Sequence, residues 1–311
     1  MKVIRTALIG LGKIAHGYDD NPAVAGRIRY PTHFSAIRRD KRFKLVAACD
    51  KDKKAREKFG RRVPQDVKIY SDYRALLAEK QPEFVIIATP TKTHYSICLA
   101  AMRAGAQAIL CEKPIAYSLS DAQRIVRLAR RKKIIFAVNY FRAFDPSYNR
   151  LIAGVKSRKW GRLRQIRVKY SRGIFNSATH FINLAERLAG LTRSVTAQAK
   201  KQKGPDPLLD FGLAMGGGVT ANFRAMSSPG PAKAELNLIF SKGKLRIVQD
   251  RVVAGKFKID INRSMLAVYD NFYQRIIGKK KLLSEPEEAL HTLRVAVKAV
   301  ESAQSGKTIK I

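Results

Sequence analysis

The strongest constraint in this 311-residue chain lies at its start. A β-branched and apolar run, Val3–Ile9, leads without a spacer into Gly10-Leu11-Gly12-Lys13-Ile14-Ala15. Glycine takes backbone angles closed to other residues and lets a second group approach the main chain. Strand, G-x-G-x-x-A, then helix is a turn that Gly10 makes tight, Gly12 leaves open, and the small Ala15 packs against the strand. Helix N-termini built this way collect anions, because unpaired amides and the helix dipole point outward together. The expected occupant is the pyrophosphate of a dinucleotide, held at Gly10, Gly12, Lys13 and Ile14.

The rest of the first half supports that context. Short apolar runs, among them Phe43–Cys49, Val67–Tyr70, Phe84–Ala88, Ala106–Cys111 and Ile134–Val138, alternate with helical patterns such as Thr93–Ala104 and Leu119–Arg131. Such alternation predicts an α/β fold, a doubly wound parallel Rossmann sheet. Asp50 closes the second strand, where an acid bonds the ribose hydroxyls and favours NAD. Its separation from Gly12 is long, and 17–31 reads as an insertion. Lys51 and Lys53 flank Asp50 and suit a 2′-phosphate, so NADP stays open as the cofactor. The second half reads differently. Leu163–Tyr170, Ser194–Ala199, Val219–Met226, Ala234–Phe240, Lys244–Val248 and Val252–Ile259 alternate more loosely, around turns such as Gly216-Gly217-Gly218 and Ser228-Pro229-Gly230. They predict an α+β domain with an open, largely antiparallel sheet. Helices are expected over Ala178–Leu188, Ala267–Ile277 and Glu285–Ser305. The expected division is 1–118 and 119–311.

Four segments resemble the glucose–fructose oxidoreductase / inositol dehydrogenase / rhizopine catabolism (Gfo/Idh/MocA) family. They are the glycine loop, Ala88-Thr89-Pro90-Thr91-Lys92-Thr93-His94, Glu112-Lys113-Pro114, and Gly173-Ile174-Phe175-Asn176-Ser177-Ala178-Thr179-His180. The resemblance implies oxidoreductase chemistry with Lys113 and His180 flanking a reacting carbinol, and Thr89, Pro90, His94 and Glu112 near the cofactor. The family's usual Asp is replaced by Asn176, an amide that orients hydroxyls or an imidazole but takes no proton. Asn176 with His180, Gly17-Tyr18-Asp19 and His33 resemble a branch tied to bacterial surface polysaccharides, which implies a sugar or nucleotide-sugar substrate. Tyr140 and Arg142, after the sixth strand, are expected to line the substrate pocket. The alternative is a regulatory protein that senses a dinucleotide without turnover.

Composition narrows the partners. Three cysteines without C-x-x-C spacing argue against a disulfide framework or structural zinc, and no metal is expected. No leader pattern or membrane span is evident, so a cytoplasmic location is expected. The formal net charge of +37 would attract polyanions. The basic residues are dispersed, however, with no nucleic-acid-binding motif, so nucleic acid is not the expected partner. The open sheet face predicts a homodimer or homotetramer. His16 and His291 read as surface residues.

Overall fold

A computed structural model describes residues 1–201, 206–227 and 232–311. The Ser228-Pro229-Gly230 turn lies outside the described residues. The chain divides into two compact units, Met1–Asp145 with Asn262–Glu287, and Pro146–Ile261 with Glu288–Ile311.

The first unit holds six strands: β1 (Ile4–Ile9), β2 (Phe43–Cys49), β3 (Lys68–Tyr70), β4 (Phe84–Ile87), β5 (Ala108–Cys111) and β6 (Ile135–Val138). They form one sheet in the order β3-β2-β1-β4-β5-β6, parallel throughout. Every residue of β4 and β5 is buried, as a strand covered on both faces requires. The intervening helices are α1 (His33–Arg39), α2 (Lys53–Gly60), α3 (Tyr73–Lys80), α4 (His94–Arg103) and α5 (Leu119–Arg131). Short polar side chains start several of them. Asp52 accepts from the amides of Lys54 and Ala55, Asp72 from that of Arg74, and Ser118 from that of Asp121.

The expected boundary at 118/119 differs from the compact units. β6 and the turn after it complete the first sheet, and the helix Ser264–Ile276 returns from far along the chain to cover it. That helix carries Met265, Val268, Tyr269, Phe272 and Tyr273 into the first core. Phe272 stacks on Phe84 at 4.9 Å between ring centroids, and Tyr269 meets Phe43 edge-on at 5.3 Å. Aromatic residues on a distant amphipathic helix carry no mark of which sheet they cover, so sequence order alone suggested a contiguous domain.

The second unit holds β7 (Leu163–Tyr170), β8 (Thr192–Lys201), β9 (Leu208–Met215), β10 (Thr220–Ala225), β11 (Ala234–Phe240), β12 (Gly243–Val248), β13 (Arg251–Ala254) and β14 (Ile309–Lys310). The sheet order is β13-β12-β11-β7-β10-β9-β8-β14, antiparallel except where β10 pairs with β7. Its buried face carries Ile166, Val168, Tyr170, Phe211 and Phe223, with Phe211 and Phe223 stacked at 4.3 Å. The opposite face presents Gln165, Arg167, Lys169, Asn222, Arg224 and Glu235 around a trough of about 1190 Å³. Helices α6 (Pro146–Lys156), α7 (Thr179–Ala189) and α8 (Pro286–Ser305) belong to this half of the fold. α7 is tied to α8 by Asn183 Nδ2 donating to Thr292 Oγ1 at 3.3 Å and by Arg187–Glu288 at 2.6 Å.

Phe272→Ala should cost about 3–5 kcal/mol, as expected for an aromatic emptied from a packed core. Urea unfolding of the full chain measures this; a loss within about 0.5 kcal/mol, typical of surface sites, would place the helix outside the cooperative first unit.

Candidate functional site

In a parallel sheet all strands end on one edge, so the residues just past β1, β4, β5 and β6 are neighbours by construction. The backbone shows the stagger directly. Gly10 N donates to Cys49 O, Ala88 N to Ile9 O, Glu112 N to Ile87 O and Asn139 N to Cys111 O, at 2.7–2.9 Å. The sheet order reverses direction between β1 and β4, and ligands of open α/β sheets settle at that switch point.

The glycine loop sits there. Gly10 has φ of +95°, and a Cβ would stand 2.5 Å from the Ala88 carbonyl carbon and oxygen. A Cβ on Gly12 would meet nothing within 4 Å, so this stretch of backbone faces open space. Residues 12–16 form turns where a helix was expected, and the exposed Gly12 leaves its backbone open to a phosphate-bearing group. Asp50 Oδ2 accepts from Leu11 N at 2.8 Å, and Oδ1 from Asp52 N at 2.9 Å. Asp50 therefore braces the glycine loop itself. Lys13 is exposed and Ile14 half-buried.

Past β4, Thr93 Oγ1 donates within the Thr89-Pro90 turn, 2.8 Å from Thr89 Oγ1 and from Pro90 O. Thr89 is half-buried and Pro90 exposed. His94 is buried, with Nδ1 2.9 Å from Pro114 O and Nε2 2.8 Å from Thr89 O. It clips the turn after β4 to the Glu112-Lys113-Pro114 turn after β5, and both ring nitrogens are engaged by backbone carbonyls. Burial holds its pKa below the usual imidazole value, against the raising effect of the two carbonyls. His16 is similarly lowered, first by burial and then by Arg62. His16 is 2% exposed and packs on Phe59 at 5.0 Å, correcting its reading as a surface residue. Its polar ring is admitted to the core because Arg62 Nη1 lies 3.2 Å from Nδ1.

Glu112 is the centre of a buried polar network. Its Oε1 lies 3.1 Å from His33 Nε2 and accepts from Asn139 Nδ2 at 2.7 Å. His33 Nδ1 lies 3.0 Å from Tyr269 Oη. A tyrosine pushed well above its usual pKa by burial keeps its proton. Nε2–H donates to the Glu112 carboxylate, and Nδ1 meets the Tyr269 hydroxyl, which donates to a neutral ring or accepts from a charged one. Burial alone would raise the Glu112 pKa; the His33 and Asn139 hydrogen bonds outweigh it and hold the group below the usual range. Lys113, the next residue, is half-buried beside this anion. Asn139 Oδ1 is buried without a hydrogen-bond partner among the described residues. Tyr140 and Arg142 are 1% and 7% exposed, with the guanidinium 4.5 Å from the Phe141 ring.

In the second unit, Ile174–Ala178 forms one wide π turn running into α7. Asp206 fastens it, its carboxylate accepting from Phe175 N at 2.7 Å and Asn176 N at 3.0 Å. Gly173, at φ +58°, is needed there, since a Cβ would fall 2.1 Å from Asp206 Cγ. Asn176 is exposed and His180 partly so, four residues apart at the start of α7. Asn183 instead turns into the protein toward Thr292. His291 lies 2.8 Å from Glu186 Oε1 and its side chain is 17% exposed, a packed, hydrogen-bonded residue where a surface one was expected. Asn139, Tyr269 and Asp206 carried no sequence signal: each is a common residue type whose role comes from a partner distant in the chain.

The fold and the glycine loop define a dinucleotide-binding oxidoreductase architecture. Residues 4–140 match the NAD-binding Rossmann domain of the Gfo/Idh/MocA oxidoreductase family, and residues 239–311 match its C-terminal alpha/beta domain. The chain belongs to that family, and its first domain is the family's NAD-binding Rossmann fold. It is 30% identical over 179 residues to the uncharacterized oxidoreductase YfiI of Bacillus subtilis, covering 55% of this chain and 42% of that protein. Inositol 2-dehydrogenase 1 of Saccharopolyspora erythraea is 32% identical over 107 residues, 34% of this chain and 31% of its own. The chain thus spans about half or less of the length of these relatives. The WlbA dehydrogenase of Bordetella pertussis, solved with NADH and UDP-GlcNAcA, has the same fold, with a TM-score of 0.82 at 18% identity over 100% of this chain and 98% of that one. No helix among the described residues is long and apolar enough to cross a membrane.

Because the His94 pKa is depressed on folding, the stability it supports is present above the unfolded value of 6.5 and is lost as pH falls below it. Thermal melts should be flat above neutrality and drop in mild acid. His94→Gln should melt lower at neutral pH with a shallower acid slope; an unchanged slope would remove His94 from the transition.

Proposed function

We propose that this chain transfers a hydride between NAD and a secondary alcohol or ketone of a sugar or nucleotide sugar. The observation that carries the proposal is Lys113, held beside the fixed Glu112 anion on the strand edge that bears the glycine loop. The NAD-binding domain and the carbohydrate-type substrates named for related dehydrogenases support the same reading.

In this scheme amides of Gly10–Ile14 hold the pyrophosphate and Asp50, besides bracing the loop, takes the ribose hydroxyls. Thr89 and Pro90 border the cofactor, and His94 and Glu112 fix the turns that carry them. Bound NAD supplies the hydride acceptor. Lys113 stabilises the alkoxide oxygen and His180 exchanges the hydroxyl proton, a role suited to imidazole. Asn176 orients substrate hydroxyls, and Tyr140 and Arg142 complete the substrate's surroundings. Reduction of a ketone uses the same groups in reverse. The substrate class implies a cytoplasmic enzyme of polysaccharide biosynthesis, and the polar sheet face of the second unit is proposed to be covered by another copy of the chain. A monomeric mass by light scattering would reject that last element.

Lys113→Ala should retain NAD affinity while turnover of a responsive sugar falls roughly a hundred- to ten-thousandfold. Screening free and UDP-linked sugars for NADH formation or consumption decides between catalysis and dinucleotide sensing. If Lys113 and His180 serve one carbinol, the double variant should lose less than the product of the single losses; independent, multiplicative losses would separate their roles. Asp50→Ala should weaken NAD more than NADP, and equal weakening would remove the ribose assignment.

A further inference from the structure

The insertion at 17–31 has an unusual connection to its surroundings. His33 N donates to Ile14 O at 3.1 Å and Phe34 N to Ala15 O at 2.9 Å. These are the i to i−4 rungs that one continuous helix would make if residues 18–32 were cut out. The turns at 13–16 are thereby joined to the start of α1 across the excursion. Thr32 and Ser35 start α1 with a reciprocal capping box, and Asp19 accepts from Thr32 Oγ1 at 2.8 Å.

The excursion, α1 and the segment after α2 enclose a pocket of about 350 Å³. Four arginines line it, Arg29, Arg38, Arg39 and Arg62, with one acidic residue, Asp19. Arg62 is clamped by Asp19 and Asp20, at 3.5 and 2.9 Å, and by His16. Arg38 lies 5.6 Å from the Phe34 ring and Arg29 5.5 Å from the Tyr30 ring. Arg29, Arg38 and Arg39 form no ion pair among the described residues. Two of the cations close α1, where they favour its negative end, and Arg62 is drawn in by Asp19 and Asp20, but Arg29 comes from the excursion and has no such reason to converge on them.

We propose that this pocket binds the phosphate group of a small molecule. Planar guanidinium forks match phosphate oxygens two at a time, and a multiply charged oxyanion relieves the repulsion among like charges gathered in one concavity. Stacking on Phe34 and Tyr30 and the clamp on Arg62 reduce the side-chain entropy lost on binding. The pocket's size fits a small phosphorylated compound. This site is separate from the glycine loop, and its occupancy does not depend on the hydride-transfer proposal.

The test is calorimetric titration of inorganic pyrophosphate into the full chain saturated with NAD, which occupies the glycine loop, in potassium chloride of constant ionic strength. With a net charge of +37, diffuse attraction must be separated from a site. Arg29→Ala/Arg39→Ala should weaken pyrophosphate on the order of tenfold or more, since each charged hydrogen bond is worth about 1.5–3 kcal/mol. Arg164→Ala/Arg251→Ala, removing two exposed arginines of the second unit, should leave the affinity unchanged. No heat beyond the chloride control, or equal loss in both double variants, overturns the proposal. So does random duplex DNA that displaces pyrophosphate and itself depends on Arg29 and Arg39, because the arginines then serve a nucleic-acid backbone.

Discussion

The first unit is organised around the buried carboxylate of Glu112. A carboxylate removed from water is costly unless hydrogen bonds replace its hydration. Glu112 obtains these from His33 on α1 and Asn139 after β6, with Tyr269 on the helix Ser264–Ile276 fixing the imidazole from behind. Four segments distant in sequence must therefore be in register before Glu112 is satisfied. The same network fixes the backbone position from which Lys113 projects. A lysine beside an anion that cannot move is a better defined electrostatic element than one on an unsupported loop.

His94 completes the arrangement by a different chemistry. It holds two turns together through carbonyl oxygens, with no charged partner in hydrogen-bond contact. Burial lowers its pKa, while the two carbonyls, both acceptors, work against that. The strand edge thus has one carboxylate anchor and one imidazole clip.

Much of this was legible in the chain. The alternation of apolar runs and helical segments located all six strands of the first sheet, and the G-x-G-x-x-A turn located the cofactor end, because period and glycine geometry are local properties. β9 and α6 were not anticipated. In β9, Leu208–Met215, Gly212 and Ala214 weaken the alternation; α6 opens on Pro146, which reads as a breaker in the sequence. The site's supports were invisible for another reason. Glu112, Asn139 and Tyr269 acquire meaning only from one another, across 27 and 157 residues of sequence. The excursion was visible as excess length before Asp50, but the backbone bonds that His33 and Phe34 make across it to Ile14 and Ala15 were not.

The return of Ser264–Ile276 to the first sheet has a consequence for how the polypeptide emerges from the ribosome. The first unit lacks Tyr269 and Phe272 until nearly the last tenth of the chain has been made, so its sheet must wait with one side uncovered. The second unit, whose strands lie between the two halves of the first, is synthesised during that wait. Contacts spanning more than two hundred residues close slowly. Exposed apolar strands in the interval are what chaperones bind, and the chain's strong like charge would help keep such nascent forms apart.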